Sequence, residues 1–142
     1  MRYWDSSGLV PLMINEPATS VVSAWLADDA GIVTWWGSVL ERASAVARRH
    51  REGHLNAETA TGVHDRLARM AQDWDEIGPS ATVRDGAVRL VRSHALRAGD
   101  ALQLSAALVA CDAQPSTLEF VSFDERLLDA ARREGFPVLP TP

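Results

Sequence analysis

Short apolar segments alternate with long stretches of helical periodicity along this chain, and that alternation restricts its possible folds more than any other feature. Arg2-Tyr3-Trp4-Asp5 reads as a strand running into a Ser6-Ser7-Gly8 loop. Gly31-Ile32-Val33-Thr34 reads as a second strand and Glu119-Phe120-Val121-Ser122-Phe123 as a third, with Phe136-Pro137-Val138-Leu139 as a short edge strand. A short apolar helix over Leu9 to Ile14, a second over 19–26 and a third over 38–52, ended by Gly53, fall between them. A fourth helix is expected from Asn56 to Trp74 and is broken by Ile77-Gly78-Pro79; a fifth is capped by Ser80. From Asp100 to about Val109 every helical face is apolar, the mark of a central buried helix, and Asp124 to Arg133 forms the last. Strands separated by helices pair in parallel and need helices to cover the sheet. The expected fold is therefore α/β, a three-layer α/β/α sandwich around a central parallel sheet of four to five strands. Its 142 residues suit one domain, 1–142, with one buried core.

Charge and cysteine content narrow the function. The formal net charge is −5 and all 14 cations are arginine. Domains that hold nucleic acid mainly by neutralising phosphates are usually basic, so this balance argues against such a domain unless a bound cation supplies positive charge. The missing lysine removes the P-loop and the receiver-domain phosphotransfer site, and Asp5 followed by Ser6-Ser7 does not open an Asp-x-Asp phosphatase motif. A dinucleotide fingerprint is absent as well. Cys111 is the single cysteine, which fits a reducing compartment, and no apolar run approaches the roughly 18 residues of a membrane span. With no signal-peptide pattern behind Met1, a cytoplasmic protein with no membrane association is expected.

The working crevice of a parallel sheet lies beyond the carboxyl ends of its strands. Asp5 follows the first strand, Asp124 follows the third, Glu41 starts the helix after the second, and Asp100 starts the buried helix. All four acids are therefore expected at one edge of the sheet. Singly, each has a structural explanation. Asp100 with Gln103 resembles a capping box, and Asp124 suits a plain N-cap. Asp5 has no helix start immediately demanding it, and Glu41 points about 160° away from the Val39/Ala43/Val46 stripe, toward crevice or solvent. Jointly they point to chemistry. Carboxylates gathered in one cleft raise each other's pKa unless a cation compensates, and hard divalent ions with oxygen ligands are the usual compensation.

Asp5-Ser6-Ser7-Gly8-Leu9-Val10, Glu41 within Ser38-Val39-Leu40-Glu41-Arg42, the block Leu96-Arg97-Ala98-Gly99-Asp100-Ala101-Leu102-Gln103-Leu104, and Phe120-Val121-Ser122-Phe123-Asp124 resemble the PIN domain, and more narrowly the VapC toxins of type II toxin–antitoxin modules. The match runs nearly end to end, and the block around Asp100 is its most specific part. The resemblance implies an endoribonuclease dependent on Mg²⁺ or Mn²⁺, an RNA substrate, a homodimer, and inhibition by a small VapB-like antitoxin. It assigns catalytic and metal-binding roles to Asp5, Glu41, Asp100 and Asp124, and supporting hydroxyl roles beside the substrate to Ser6 and Ser122. Trp35-Trp36-Gly37 departs from the pattern, since small polar residues are commoner there. The competing expectation is a catalytically silent RNA- or protein-binding module of the same fold, for which loss of one acid would be the sign.

Other motifs carry less. His50 and His54 have metal-ligand spacing, but no glutamate follows the first and Gly53 interrupts the helix. Arg48-Arg49-His50-Arg51 reads as a solvated basic face, able also to guide an RNA backbone or meet an acidic partner. Core packing explains most of the five tryptophans, with Trp35 and Trp36 as candidates to stack an unpaired base.

Overall fold

The computed structural model describes residues 1–141. Strand β1 (Arg2–Trp4) leads into a single-turn helix α1 (Ser6–Leu9) and a 3-10 turn over Val10–Leu12. Helix α2 (Thr19–Asp28) precedes β2 (Ile32–Trp35), which is followed by the paired helices α3 (Ser38–Arg51) and α4 (Ala57–Met70). Then come β3 (Asp75–Ile77), α5 (Ala81–Ser93), α6 (Ala98–Ala110), β4 (Phe120–Val121), α7 (Glu125–Glu134) and β5 (Val138–Leu139). All five strands are parallel, in the order β3-β2-β1-β4-β5. The order reverses beside β1, which is where a doubly wound sheet opens a crevice at its carboxyl edge.

Successive strand residues face opposite sides of the sheet, and β1 shows it directly. Tyr3 enters one core, stacked on Phe120 at 5.1 Å between ring centroids and packed with Val83, Leu90, Leu104 and Leu127 from α5, α6 and α7. Trp4 enters the other, with Leu9, Val22, Val46, Val63 and Leu67 from α1 to α4. Two apolar clusters on opposite sheet faces are the expected three-layer sandwich. Each fully buried aliphatic side chain contributes roughly 1.5–3 kcal/mol to holding these layers together. The amino end of the sheet is tied by Arg2, which is nearly buried and donates to Glu119 at 2.5 Å and to Asp28 at 2.6 Å.

Several boundaries differ from expectation. The sheet has a strand, β3, that the periodicity did not indicate. Its Asp75 and Glu76 are exposed, and it lies at the edge, where charged residues are favoured because they block pairing with other chains. Helix α4 stops at Met70 rather than Trp74, whose ring turns back into the core beside Leu67. Helix α6 opens at Ala98, so Asp100 lies inside the first turn and is not a capping residue; Arg97 occupies the N-cap without a side-chain bond. Asp5 does serve a helix start, since it caps α1 by accepting from the Ser7 amide at 3.1 Å. Gly53 adopts φ +80°, a left-handed conformation that suits glycine, and leaves His54 outside α3 and away from helical register with His50.

Candidate active site

All four sequence-designated acids stand at the carboxyl edge of the sheet. Asp5 leaves β1, Asp124 leaves β4 and caps α7, Glu41 lies in the first turn of α3 and Asp100 in the first turn of α6. Asp124 has a structural task as well: its Oδ1 accepts from the Arg126 and Leu127 amides at 2.9 and 3.0 Å.

Asp5 is only 5% exposed, and hydroxyl groups hold its carboxylate in place. Ser7 donates to Oδ2 at 2.6 Å, and the fully buried Ser122 donates to the same oxygen. Ser7 also accepts from the Phe123 amide at 2.8 Å, and Ser122 from the Asp124 amide at 3.0 Å. These hydroxyls therefore join the β1 and β4 exits and fix where Asp5 and Asp124 stand relative to each other. Glu41 is held from two sides: Ser6 donates to Oε2 at 2.7 Å, and the Gln103 amide donates to Oε1 at 3.3 Å. Of the expected supporting hydroxyls, Ser6 thus reaches Glu41 and Ser122 reaches Asp5.

Electrostatics couple the four acids. Burial raises the Asp5 carboxyl above its ordinary range against the lowering effect of Ser122 and Ser7, and the charge of Asp124 raises it further. Loss of hydration likewise raises Glu41, with Asp5 and Asp100 adding to the shift. Asp100 is raised by burial first, then by Asp124 and Asp5, against the Arg97 amide and guanidinium. Every acid here either feels or exerts the repulsion of another in the set, and Asp100 and Asp124 line one cleft.

Gln103 is the residue that sequence reasoning misplaced. It is 1% exposed and lies on the buried face of α6, one turn beyond Asp100. Its Oε1 accepts from the buried Tyr3 hydroxyl at 2.7 Å, and its Nε2 lies 2.9 Å from both Ser6 and Ser38. The side chain therefore ties α6, which carries Asp100, to α3, which carries Glu41. A lone amide within an apolar helix was the available signal, because a buried polar group needs partners. Gln103→Leu is expected to lose about 1–3 kcal/mol by leaving the Tyr3 hydroxyl without a partner. Adding Tyr3→Phe in that background recovers part of the loss; urea denaturation of both variants checks it, and strict additivity of the two losses would contradict the bond's importance.

Beneath the pocket lies Arg42, fully buried, with its guanidinium 4.5 Å from the Trp74 ring centroid. Its three nitrogens make no hydrogen bond among the described residues. Burial lowers its pKa to about 10, opposed by the charges of Asp5 and Glu41. Arg42 thus places one positive charge below the carboxylates, partly compensating them from inside the fold.

Among the described residues, no three carboxylate, imidazole or thiol groups converge closely enough to cage a metal ion by themselves. The donor set still fits a hard cation. All its donors are oxygens, and Mg²⁺ commonly keeps several waters while binding through one or two carboxylates. The basic run of α3 is partly spent, since Arg49 pairs with Glu16. Trp35 is buried in the core, whereas Trp36 is 56% exposed. No described helix is long and apolar enough to cross a membrane.

No family model matches the chain. Two ribonucleases of Mycobacterium tuberculosis, VapC45 and VapC49, are each 31% identical to it over 146 aligned positions, covering 97% of this chain and 94% of each relative. Among solved structures, PAE2754 from Pyrobaculum aerophilum superposes with a TM-score of 0.69 at 17% identity, covering 98% of this chain and 84% of that one. FitAcB from Neisseria gonorrhoeae gives 0.68 at 19% identity, with 97% and 96% covered. The structural likeness shows the fold, and identity at this level across nearly the full length shows the lineage: the chain belongs to the VapC family of ribonucleases.

Proposed function

We propose that residues 1–142 act as one PIN-type nuclease domain, a Mg²⁺- or Mn²⁺-dependent endoribonuclease that serves as the toxin of a toxin–antitoxin pair. The single observation that carries the metal-dependent reading is the gathering of acids at the carboxyl edge of the sheet, where burial first and the charges of neighbouring acids after it raise Asp5, Glu41 and Asp100 above their ordinary range. Asp5, Asp100, Asp124 and Glu41 would hold the cation. When bound, it supplies a water of lowered pKa and neutralises charge at the scissile phosphate.

The chain's own residues do the positioning. Ser122 and Ser7 fix Asp5, and the Asp124 cap fixes the fourth acid at the mouth of β4. Ser6 and Gln103 steer Glu41, whose raised carboxyl at the open rim suits it to accept the proton of the attacking water. RNA is the substrate on the strength of the relatives' names. A VapB-like antitoxin, a homodimer and a cytoplasmic site of action complete the reading.

Incubation of the purified chain with single-stranded RNA tests it. Cleavage is expected with Mg²⁺ or Mn²⁺, to cease with EDTA, and to return when excess metal is added. Undiminished cleavage in EDTA would overturn the metal-dependent reading, and absence of cleavage with either metal would favour the silent binding module.

A further inference from the structure

A pocket of four acids in a protein of net charge −5 repels the strand it is proposed to cut. A cation at the acids offsets that repulsion at one phosphate only. Phosphates on either side need positive charge from the protein itself, and the distribution of arginines shows where it is kept. Arg2, Arg49, Arg84, Arg89, Arg132 and Arg133 form ion pairs. Of the exposed arginines that form no ion pair among the described residues, which also include Arg48, Arg51, Arg66, Arg69 and Arg92, Arg97 and Arg126 are the two whose chain neighbours are Asp100, Asp124 and Glu125.

Both line the same cleft of about 400 Å³, together with Asp100, Phe123, Asp124 and Glu125. Arg97 is the N-cap of α6, three residues before Asp100, and Arg126 stands in the first turn of α7, two residues after Asp124. Each of these two acids is thus accompanied by one free, exposed guanidinium.

We propose that Arg97 and Arg126 bind the phosphates flanking the scissile one, so that a single RNA strand crosses the cleft between the starts of α6 and α7. This rests on the ribonuclease reading above and adds the residues that hold the substrate. Guanidinium groups suit the task because their planar donors match phosphate oxygens in pairs.

Steady-state cleavage and binding of a fluorescein-labelled single-stranded 12-mer RNA test it, the binding arm being measured in the Asp5→Asn background to prevent turnover. Arg97→Gln and Arg126→Gln are each expected to raise KM and Kd roughly 3- to 10-fold, with kcat within about twofold of wild type. Each should also flatten the dependence of log Kd on log salt by about 0.7. Arg66→Gln makes the same charge change on α4, across the sheet from α6 and α7, and is expected to leave KM and Kd within about twofold of wild type. Unchanged KM, Kd and salt slope in both cleft variants, in a chain that still cuts RNA, would overturn this proposal and leave the ribonuclease reading standing. An equal effect from Arg66→Gln would also overturn it, by showing a response to net charge alone. A wild-type chain that neither cuts nor binds RNA overturns both readings.

Discussion

Asp5→Asn is expected to lower RNA cleavage by at least about 100-fold while the fold survives. The loss follows from the position of Asp5 among the acids, where its charge acts on both Glu41 and Asp100. Asparagine keeps the oxygen that caps α1 but removes the charge that attracts a cation. Survival of the fold follows from the same physics. Asp5 is almost fully buried, and an ionised carboxyl there is held against a desolvation penalty that a neutral amide does not meet. Far-UV circular dichroism should match wild type, and stability without metal at neutral pH should stay within about 1–3 kcal/mol of wild type, because relief of the buried charge opposes the lost acceptor of Ser7 and Ser122. A variant that cuts at a rate near wild type would remove Asp5 from the site, and one that unfolds would show its carboxylate to be structural.

The second large effect couples pH to metal. Asp5, Glu41 and Asp100 have folded-state pKa values above their unfolded ones, so the folded chain binds more protons in the window between the two. Stability of the metal-free protein therefore falls as pH rises from the unfolded carboxyl pKa, near 4, through the raised folded values. Above that window the full cost of burying these charges and of their mutual repulsion is present. Bound Mg²⁺ offsets it, and a ligand at 100 times its Kd stabilises by about 2.7 kcal/mol, or roughly 5–10 °C in Tm for a chain of this size. Thermal unfolding at pH 5 and pH 7.5, with EDTA or with Mg²⁺, should show a markedly larger metal effect at pH 7.5. An equal effect at both values would mean that the cation does not bind at these acids.

How far the residues alone carried this account depended on whether a group's neighbours lie close in sequence. The alternation of strands and helices placed Asp5, Glu41, Asp100 and Asp124 at one sheet edge, because in a parallel sheet that follows from connection order. Strand β3 stayed hidden because its residues are polar and it owes its existence to pairing with Val33, Thr34 and Trp35, which no local pattern records. Gln103 looked like half of a capping box because its spacing from Asp100 matched one; its partners on β1, α1 and α3 are distant in the chain. Arg42 stands out in the sequence only as a neighbour of Glu41, for a helical wheel does not reveal that the next residue along is fully buried against Trp74. The family resemblance supplied the roles of the acids. Geometry supplied the hydroxyl and amide groups that hold them.

Crystals of the wild-type chain soaked in MnCl₂ and measured for anomalous scattering address the central claim most directly. The account predicts a manganese peak bounded by Asp5, Glu41, Asp100 and Asp124, lost in crystals of Asp5→Asn. Manganese found only elsewhere on the surface, with Asp5, Glu41 and Asp124 still bonded to their serine, amide and backbone partners, would contradict it.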